Sequence, residues 1–169
     1  MAFSVKTALI VIGIAAVLAL VLAILIRFRT VPTHSASAAD IPNIVEQLHN
    51  GRETPRYAVL MFGPTESEND TVNLQFSVED GRLGLDWVLL APRNIADKDR
   101  VVEFAERRGH LLAERKKNGV RYLRSEGEGV ADLGIAIITT FYRISPGEPL
   151  GLIAEGFTWP PPGRREKAL

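Results

Sequence analysis

The 169-residue sequence contains no cysteine, and this absence excludes several kinds of chemistry at once. A protein without cysteine has no disulfide, no thiol nucleophile and no cysteine-ligated zinc site. Histidine is scarce as well, and the three histidines stand far apart, at positions 34, 49 and 110. We therefore predict neither a bound metal nor a cofactor.

Familiar catalytic motifs are also missing. The sequence has no P-loop and no G-x-S-x-G nucleophile motif. Gly127 and Gly129 have the spacing of the first two glycines of a dinucleotide-binding turn, but Asp132 occupies the position of the third. These absences favour a protein that is not an enzyme, and an enzyme with an unrecognised site is the alternative.

The sequence has no excess of positive charge, since it contains twenty basic and twenty acidic residues. Three of the basic residues precede the first acidic residue, Asp40, so the chain from residue 40 onward has seventeen basic and twenty acidic side chains, a net charge of −3. Nucleic-acid-binding domains are usually basic. We therefore predict no nucleic-acid partner.

The most distinctive feature that is present is an uncharged run over residues 7–26, from Thr7 to Ile26, in which thirteen of twenty residues are Leu, Ile or Val. As a helix it would be about 30 Å long, which matches the hydrocarbon core of a bilayer. We predict a single-pass transmembrane helix in contact with membrane lipid, after a short segment of residues 1–6.

A cleaved signal peptide is the alternative for this run, because Lys6 precedes it and Ala36-Ser37-Ala38 fits a small-x-small cleavage pattern. The run is longer than the 7 to 15 apolar residues of a usual signal peptide, and the cleavage pattern lies well beyond its end. We therefore favour retention. Counting Lys and Arg on the two sides gives one against two, which favours a cytoplasmic position for the following domain.

We predict three regions after the membrane helix: a flexible tether over residues 27–39, one soluble α+β domain over residues 40–159, and a disordered tail over residues 160–169. The tether and the tail are small, polar or proline-led and have no periodic apolar face. The domain begins with a helix over residues 40–50, for which Asp40 is the expected N-cap and Pro42 lies in the first turn.

A buried strand is predicted over residues 56–62, and a strictly alternating strand over residues 71–79. The Asp80-Gly81 turn predicts a hairpin with residues 82–90. Pairing Glu79 with Arg82 places apolar residues opposite one another: Val78 with Leu83, Phe76 with Leu85, Leu74 with Trp87, and Val72 with Leu89. On the other face Gln75 meets Asp86, and we expect both to face outward.

The second half of the domain is predicted to contain two helices and a second hairpin. A helix capped by Asn94 or Asp97 should extend to Arg108, with Val101, Phe104 and Ala105 facing the core. A hairpin over residues 110–117 and 120–125 turns at residues 118–119, and a core helix covers residues 130–144. A short apolar piece, residues 150–159, is expected to dock on the body. The predicted order is α-β-β-β-α-β-β-α, with an antiparallel sheet flanked by helices.

This order resembles the type III secretion chaperone fold and the related YbjN-like proteins. The residues that carry the resemblance are LQFSVEDGRLGLDWVLL (74–90), EFAERRG (103–109) and NGVRYLRSEGEGVADL (118–133). The resemblance implies a peptide-binding or chaperone-like module, often dimeric and not known as an enzyme. An unknown peptide or protein is therefore the expected partner, and a homodimer is a further expectation.

Two surfaces are candidates for binding. The first is the outward face of the first hairpin, around Gln75 and Asp86. The second, which we call the basic hairpin, could lie against anionic lipid or protect an edge strand by its charge, and it consists of Arg115, Lys116, Lys117, Arg121 and Arg124, with Arg107 and Arg108 nearby. A structural module that docks on an anionic membrane surface is thus the alternative to a peptide-binding domain.

Overall fold

The computed structural model describes residues 33–63 and 70–161. The predicted membrane helix of residues 7–26 lies outside these ranges, as does most of the predicted tail. Within the described ranges, no helix is both long enough and apolar enough to cross a membrane.

The described residues form an α+β fold around one seven-stranded sheet in which every neighbouring pair of strands is antiparallel. The strands are β1 (Thr33–Ala36), β2 (Tyr57–Phe62), β3 (Val72–Glu79), β4 (Arg82–Val88), β5 (Ala113–Lys117), β6 (Val120–Glu126) and β7 (Leu150–Glu155). Their order across the sheet is β1-β7-β2-β3-β4-β6-β5. The predicted antiparallel sheet is therefore confirmed, with two more strands than expected.

The β3-β4 hairpin has the predicted register. Leu74 pairs with Trp87, and Gln75 pairs with Asp86. Asp80 and Gly81 have φ angles of 50° and 77°, the left-handed conformation that a tight two-residue hairpin turn requires. The predicted pair of Val72 with Leu89 lies beyond the ladder, because β4 ends at Val88.

The predicted tether is wrong for residues 33–39. Thr33–Ala36 is an edge strand that pairs with β7, and residues 38–40 form a short 3-10 turn with a buried Ala38. The Asp40 carboxylate accepts hydrogen bonds from the backbone N–H and the hydroxyl of Ser37, both at 2.9 Å, so it stabilises this turn and makes no side-chain cap on the helix. The compact unit begins at Thr33.

The expected docking piece is also more integral than predicted. Leu150–Glu155 is β7, which lies between β1 and β2 inside the sheet. The buried Trp159 then donates its indole N–H to the carbonyl of Ser35 at 3.1 Å. Along the described chain, the first and the last elements are therefore two strands, β1 and β7, that pair with each other.

Within residues 33–63 and 70–161, four α-helices accompany the sheet: α1 (Ile41–Asn50), α2 (Pro92–Ala96), α3 (Lys98–Glu106) and α4 (Val130–Ala136), which continues as a π-helical turn over Ile137–Phe141. The buried apolar residues of α1, α3 and α4 pack with Leu74, Phe76 and Trp87 in one core on what we call the inner face of the sheet. Gly134 of α4 lies so close to Phe76 that a Cβ atom there would overlap the ring.

Neither proposed cap of the second predicted helix acts as a side-chain cap, and the helix is broken into α2 and α3. Asn94 is buried, and its amide group bonds the backbone N–H and C=O of Asn73 at 3.0 and 2.7 Å, where β4 no longer pairs. The predicted core face of Val101, Phe104 and Ala105 is confirmed.

Candidate functional site: the outer face of the sheet

The face of the sheet opposite the core, which we call the outer face, receives every second side chain of each strand. The buried apolar side chains of α1, α3 and α4 all belong to the inner-face core, and α2 is bonded to Trp87 on that same side. The packed core includes none of the apolar residues of the outer face. Within the described ranges, the outer face is therefore the uncovered side of the sheet.

An apolar strip runs along this face and consists of Tyr57, Val59 and Met61 of β2 with Ile153 of β7. All four side chains are half-buried and none packs against the core. Alternate residues of a strand are about 6.6 Å apart, so the β2 part of the strip is about 13 Å long. Gly151 pairs with Met61 and adds no side chain beside it.

Beside the apolar strip, β3, β4 and β6 carry a buried ion pair. The Arg124 guanidinium donates to Asp86 Oδ1 at 2.6 Å and to the Ser77 hydroxyl at 2.9 Å, and the Ser77 hydroxyl donates to the other oxygen of Asp86. Asp86 and Arg124 are each 1% exposed. The prediction that Asp86 faces solvent is therefore wrong, although its pairing with Gln75 is confirmed.

A glycine makes room for this pair. A Cβ atom on Gly84 would lie 2.5 Å from Cζ of Arg124, so the guanidinium lies directly over the backbone of β4. Its remaining amino group bonds the carbonyl of Arg82 at 2.9 Å and that of Ser77 at 3.3 Å. Only a residue without a side chain leaves this space in a central strand.

The electrostatics of the pair reflect its burial. Burial raises the pKa of Asp86, although hydrogen bonds from Ser77 and the positive charge of Arg124 act in the opposite direction. Burial alone would lower the pKa of Arg124, but the charge of Asp86 and the hydrogen bond to Glu126 raise it overall. The pair is therefore stable only as a unit, because either charge alone would be buried without compensation.

Two further carboxylates surround the buried pair. Glu126 accepts from Nε of Arg124 at 2.7 Å and lies 3.0 Å from Arg115, while Glu79 lies 2.9 Å from Lys117. The Tyr122 hydroxyl donates to Glu79 at 2.9 Å, and burial together with this carboxylate raises the pKa of Tyr122 to about 12. Burial alone would raise the pKa of Glu79, but its bonds with Lys117 and Tyr122 lower it overall.

The basic hairpin does not form a single patch. The register places Arg115, Lys117 and Arg124 on the outer face, whereas Lys116 and Arg121 point to the other side. Arg121 lies 2.5 Å from Glu114, which Lys98 also approaches at 3.2 Å. The prediction that Arg124 belongs to an exposed patch is wrong, because Arg124 is buried in its ion pair with Asp86.

The two edges of the sheet are protected. β5 forms one edge and carries three exposed charged residues, Glu114, Lys116 and Lys117. β1 forms the other, where the Trp159 indole bonds the Ser35 carbonyl. Charged side chains and covering residues are common means of preventing strand addition, so the outer face is a better candidate surface than either edge.

A second polar cluster lies at one end of the inner face. Asp97 accepts from Tyr142 at 2.8 Å, from Arg93 at 2.6 Å and from Arg100 at 2.7 Å. Burial raises the pKa of Tyr142 above its usual range, as does its bond to Asp97. A cavity of about 240 Å³ adjoins this cluster and is lined by Phe62, Gly63, Asp70, Val72, Arg93, Tyr142 and Ile144.

Two hydroxyl groups of the outer face lie beside carboxylates. Ser77, which is buried, donates to Asp86, and Tyr122 donates to Glu79. In residues 33–63 and 70–161, no group of three or more His, Asp or Glu side chains is placed to hold a metal ion.

The sequence does not predict the apolar strip, because residues 56–62 form one continuous apolar run, which is typical of a strand whose two faces are both buried. The signal was present in β3, whose outward residues Asn73, Gln75 and Ser77 are polar and pair with Met61, Val59 and Tyr57. A strand beside such neighbours must share their uncovered face.

Comparison with known proteins finds no family model, no curated protein and no solved structure that matches this chain. The resemblance to type III secretion chaperones and YbjN-like proteins therefore stays a prediction.

Proposed function

We propose that this protein is a single-pass membrane-anchored, non-enzymatic domain of chaperone-like type that binds a protein or peptide partner on its outer face. The observation that supports this most directly is a half-buried apolar strip, beside an ionic network, on a sheet face that the described helices leave uncovered. Contiguous apolar surface rimmed by polar groups is typical of protein interaction sites.

The size of the strip indicates how a partner would bind. Burying an exposed Val, Ile or Met side chain completely contributes about 1.5–3 kcal/mol. The four strip residues are already half-buried, so covering them contributes only a few kcal/mol, whereas a micromolar complex needs about 8 kcal/mol. The polar part of the outer face must therefore contribute to binding, and the expected complex is weak or transient.

The predicted anchor favours a partner at a membrane surface. Because β1 begins at Thr33, the chain between the predicted membrane helix and the domain is residues 27–32 and not the thirteen residues of the predicted tether. We place the domain on the cytoplasmic side of the membrane, because the basic residues that follow the predicted membrane helix favour that orientation. A homodimer is the simplest alternative occupant of the face.

Site-specific photo-crosslinking of the full chain in its own membranes tests the proposal. A photoreactive phenylalanine analogue at Val59 should crosslink to a polypeptide, and Met61→Lys in the same chain should abolish that product. The same analogue at Ile95, an apolar residue of α2 that is 55% exposed, is the matched control. Equal products at Val59 and Ile95, or a product at Val59 that survives Met61→Lys, would contradict binding through the outer face.

A further inference from the structure

We infer that the partner of the outer face is an amphipathic helix with acidic side chains along one flank. This inference rests on the proposed function and adds the chemistry of the partner to it. Three features of the described residues carry it: the layering of the ionic network, the closure of both sheet edges, and the dimensions of the apolar strip.

The ionic network is layered, with its cations outermost. The side chains of Arg82, Lys117 and Arg115 are 68%, 62% and 36% exposed. The carboxylates beneath them are much less exposed, at 15% for Glu79 and 17% for Glu126. A partner that approaches this side of the face therefore meets positive charge first.

The charge count agrees with the layering. Within the network, Asp86 and Arg124 compensate each other, which leaves three outer cations over two carboxylates and a net charge of +1. The chain from residue 40 onward carries −3, so this side of the face differs in sign from that part of the chain as a whole. Charge complementarity of this kind selects an acidic partner and accelerates its association.

The two sheet edges and the length of the apolar strip favour a helix over an added strand as the partner. An added strand needs an open sheet edge, and here one edge is charged and the other is bonded by Trp159. A helix instead lies on a face with its apolar residues at i, i+3 or i+4, and i+7, which spans about 10.5 Å along its axis. That length matches the β2 part of the strip, about 13 Å.

Two other occupants fit the observations less well. If a second copy of this chain paired its strip with this one about a two-fold axis that crosses the strands, the outer cations of the two copies would meet as like charges. A lipid surface is usually bound by apolar side chains that project from the protein, whereas the strip residues are half-buried within the sheet. Both occupants remain as outcomes of the test.

The test uses three synthetic helical peptides that share one apolar face and differ only in the flanking residues, which are Glu, Lys or Gln. Binding to the full chain, held in a neutral-lipid nanodisc, is measured by fluorescence anisotropy. We expect the Glu peptide to bind at least tenfold more tightly than the Lys peptide, and the ratio to fall as salt rises. Vesicles with and without phosphatidylserine form a separate arm.

Two variants assign the contacts. The double variant Arg82→Gln, Lys117→Gln should bind the Glu peptide several-fold more weakly and the Gln peptide with unchanged affinity. Met61→Ser should weaken the binding of all three peptides. Arg107→Gln is the matched control, because Arg107 is an exposed cation at the end of α3 and away from the outer face. It should change none of the three affinities.

The outcomes separate this inference from the proposed function. If the three peptides bind equally and Met61→Ser weakens all of them, the acidic partner is wrong while binding through the outer face stands. Vesicle binding that needs phosphatidylserine, with no peptide binding, would overturn the helix in favour of lipid. Crosslinking from Val59 only to a second copy of the chain would overturn it in favour of a dimer. If no peptide binds and Val59 gives no crosslinked product, both proposals fail.

Discussion

Replacing Arg124 by methionine is the sharpest perturbation of this fold. The guanidinium makes hydrogen bonds with Asp86, Ser77, Glu126 and the carbonyl of Arg82, and it is almost completely buried. Methionine fills part of the same space and donates no hydrogen bond. Arg124→Met therefore leaves the Asp86 carboxylate in the protein interior without its cation.

The magnitude follows from that isolated carboxylate. Removing one partner of a buried ion pair typically costs about 3–5 kcal/mol. Asp86 keeps its hydrogen bonds with Ser77 and with Gln75, the latter at 3.2 Å, so we expect the lower half of that range. Against a total stability of about 5–15 kcal/mol, this is a large loss. Asp86→Leu in the same chain removes the isolated charge and should restore most of the stability.

The pH dependence gives a second signature. Burial already raises the pKa of Asp86, and without Arg124 it should rise further. A carboxyl whose pKa is raised in the folded state binds a proton more readily there than in the unfolded chain. Its contribution to stability is therefore greatest below the unfolded pKa, about 3.9, and is lost as pH rises through the folded value. The defect of Arg124→Met should thus shrink as the pH is lowered toward 4.

Urea unfolding of the full chain in detergent, followed by tryptophan fluorescence, measures both effects, since Trp87 lies in the core. A loss below about 1 kcal/mol for Arg124→Met would refute the reasoning from the buried pair. So would a double variant whose loss equals the sum of the two single losses, because that result would mean that the two side chains are not coupled.

Three further predictions concern other parts of the fold. Trp87→Ala should lower the free energy of unfolding by about 3–5 kcal/mol because it leaves a cavity in the core, while Gln75→Ala should lower it by at most about 1.5 kcal/mol for one lost hydrogen bond. Equal losses in urea unfolding would contradict the assignment of Trp87 to the inner face and Gln75 to the outer face. Gly84→Ala should destabilise the wild-type chain by displacing the Arg124 guanidinium and should be nearly neutral when combined with Arg124→Met, and thermal melts of the four chains compare the two backgrounds. Burial alone would raise the pKa of Asp97, but hydrogen bonds from Tyr142 and Arg93 lower it overall. The stabilisation by Asp97 is therefore present above its unfolded pKa and is lost as pH falls through the folded value, so the melting temperatures of Asp97→Asn and wild type should converge under acidic conditions. A constant difference in melting temperature between pH 7 and pH 2 would argue against this.

Elements that depend on local information could be predicted from the amino-acid sequence. Alternating apolar residues and the Asp80-Gly81 turn were enough to predict the β3-β4 register, because a shift of one residue would move every apolar side chain to the wrong face. The helix over residues 41–50 and the second hairpin follow from the same kind of short-range pattern. The burial of Trp87 was predicted from its position on that hairpin and is confirmed.

The two outer strands and the buried ion pair could not be predicted from the sequence, because they depend on contacts between distant segments. β1 and β7 pair across more than a hundred residues of sequence, and neither has a periodic pattern that reveals its partner. Asp86 was predicted to face outward because of its register with Gln75, and Arg124 was predicted to lie in the exposed basic hairpin. They are buried together because β6 lies beside β4 and Gly84 leaves space between them, an arrangement that depends on strand order and not on either segment alone.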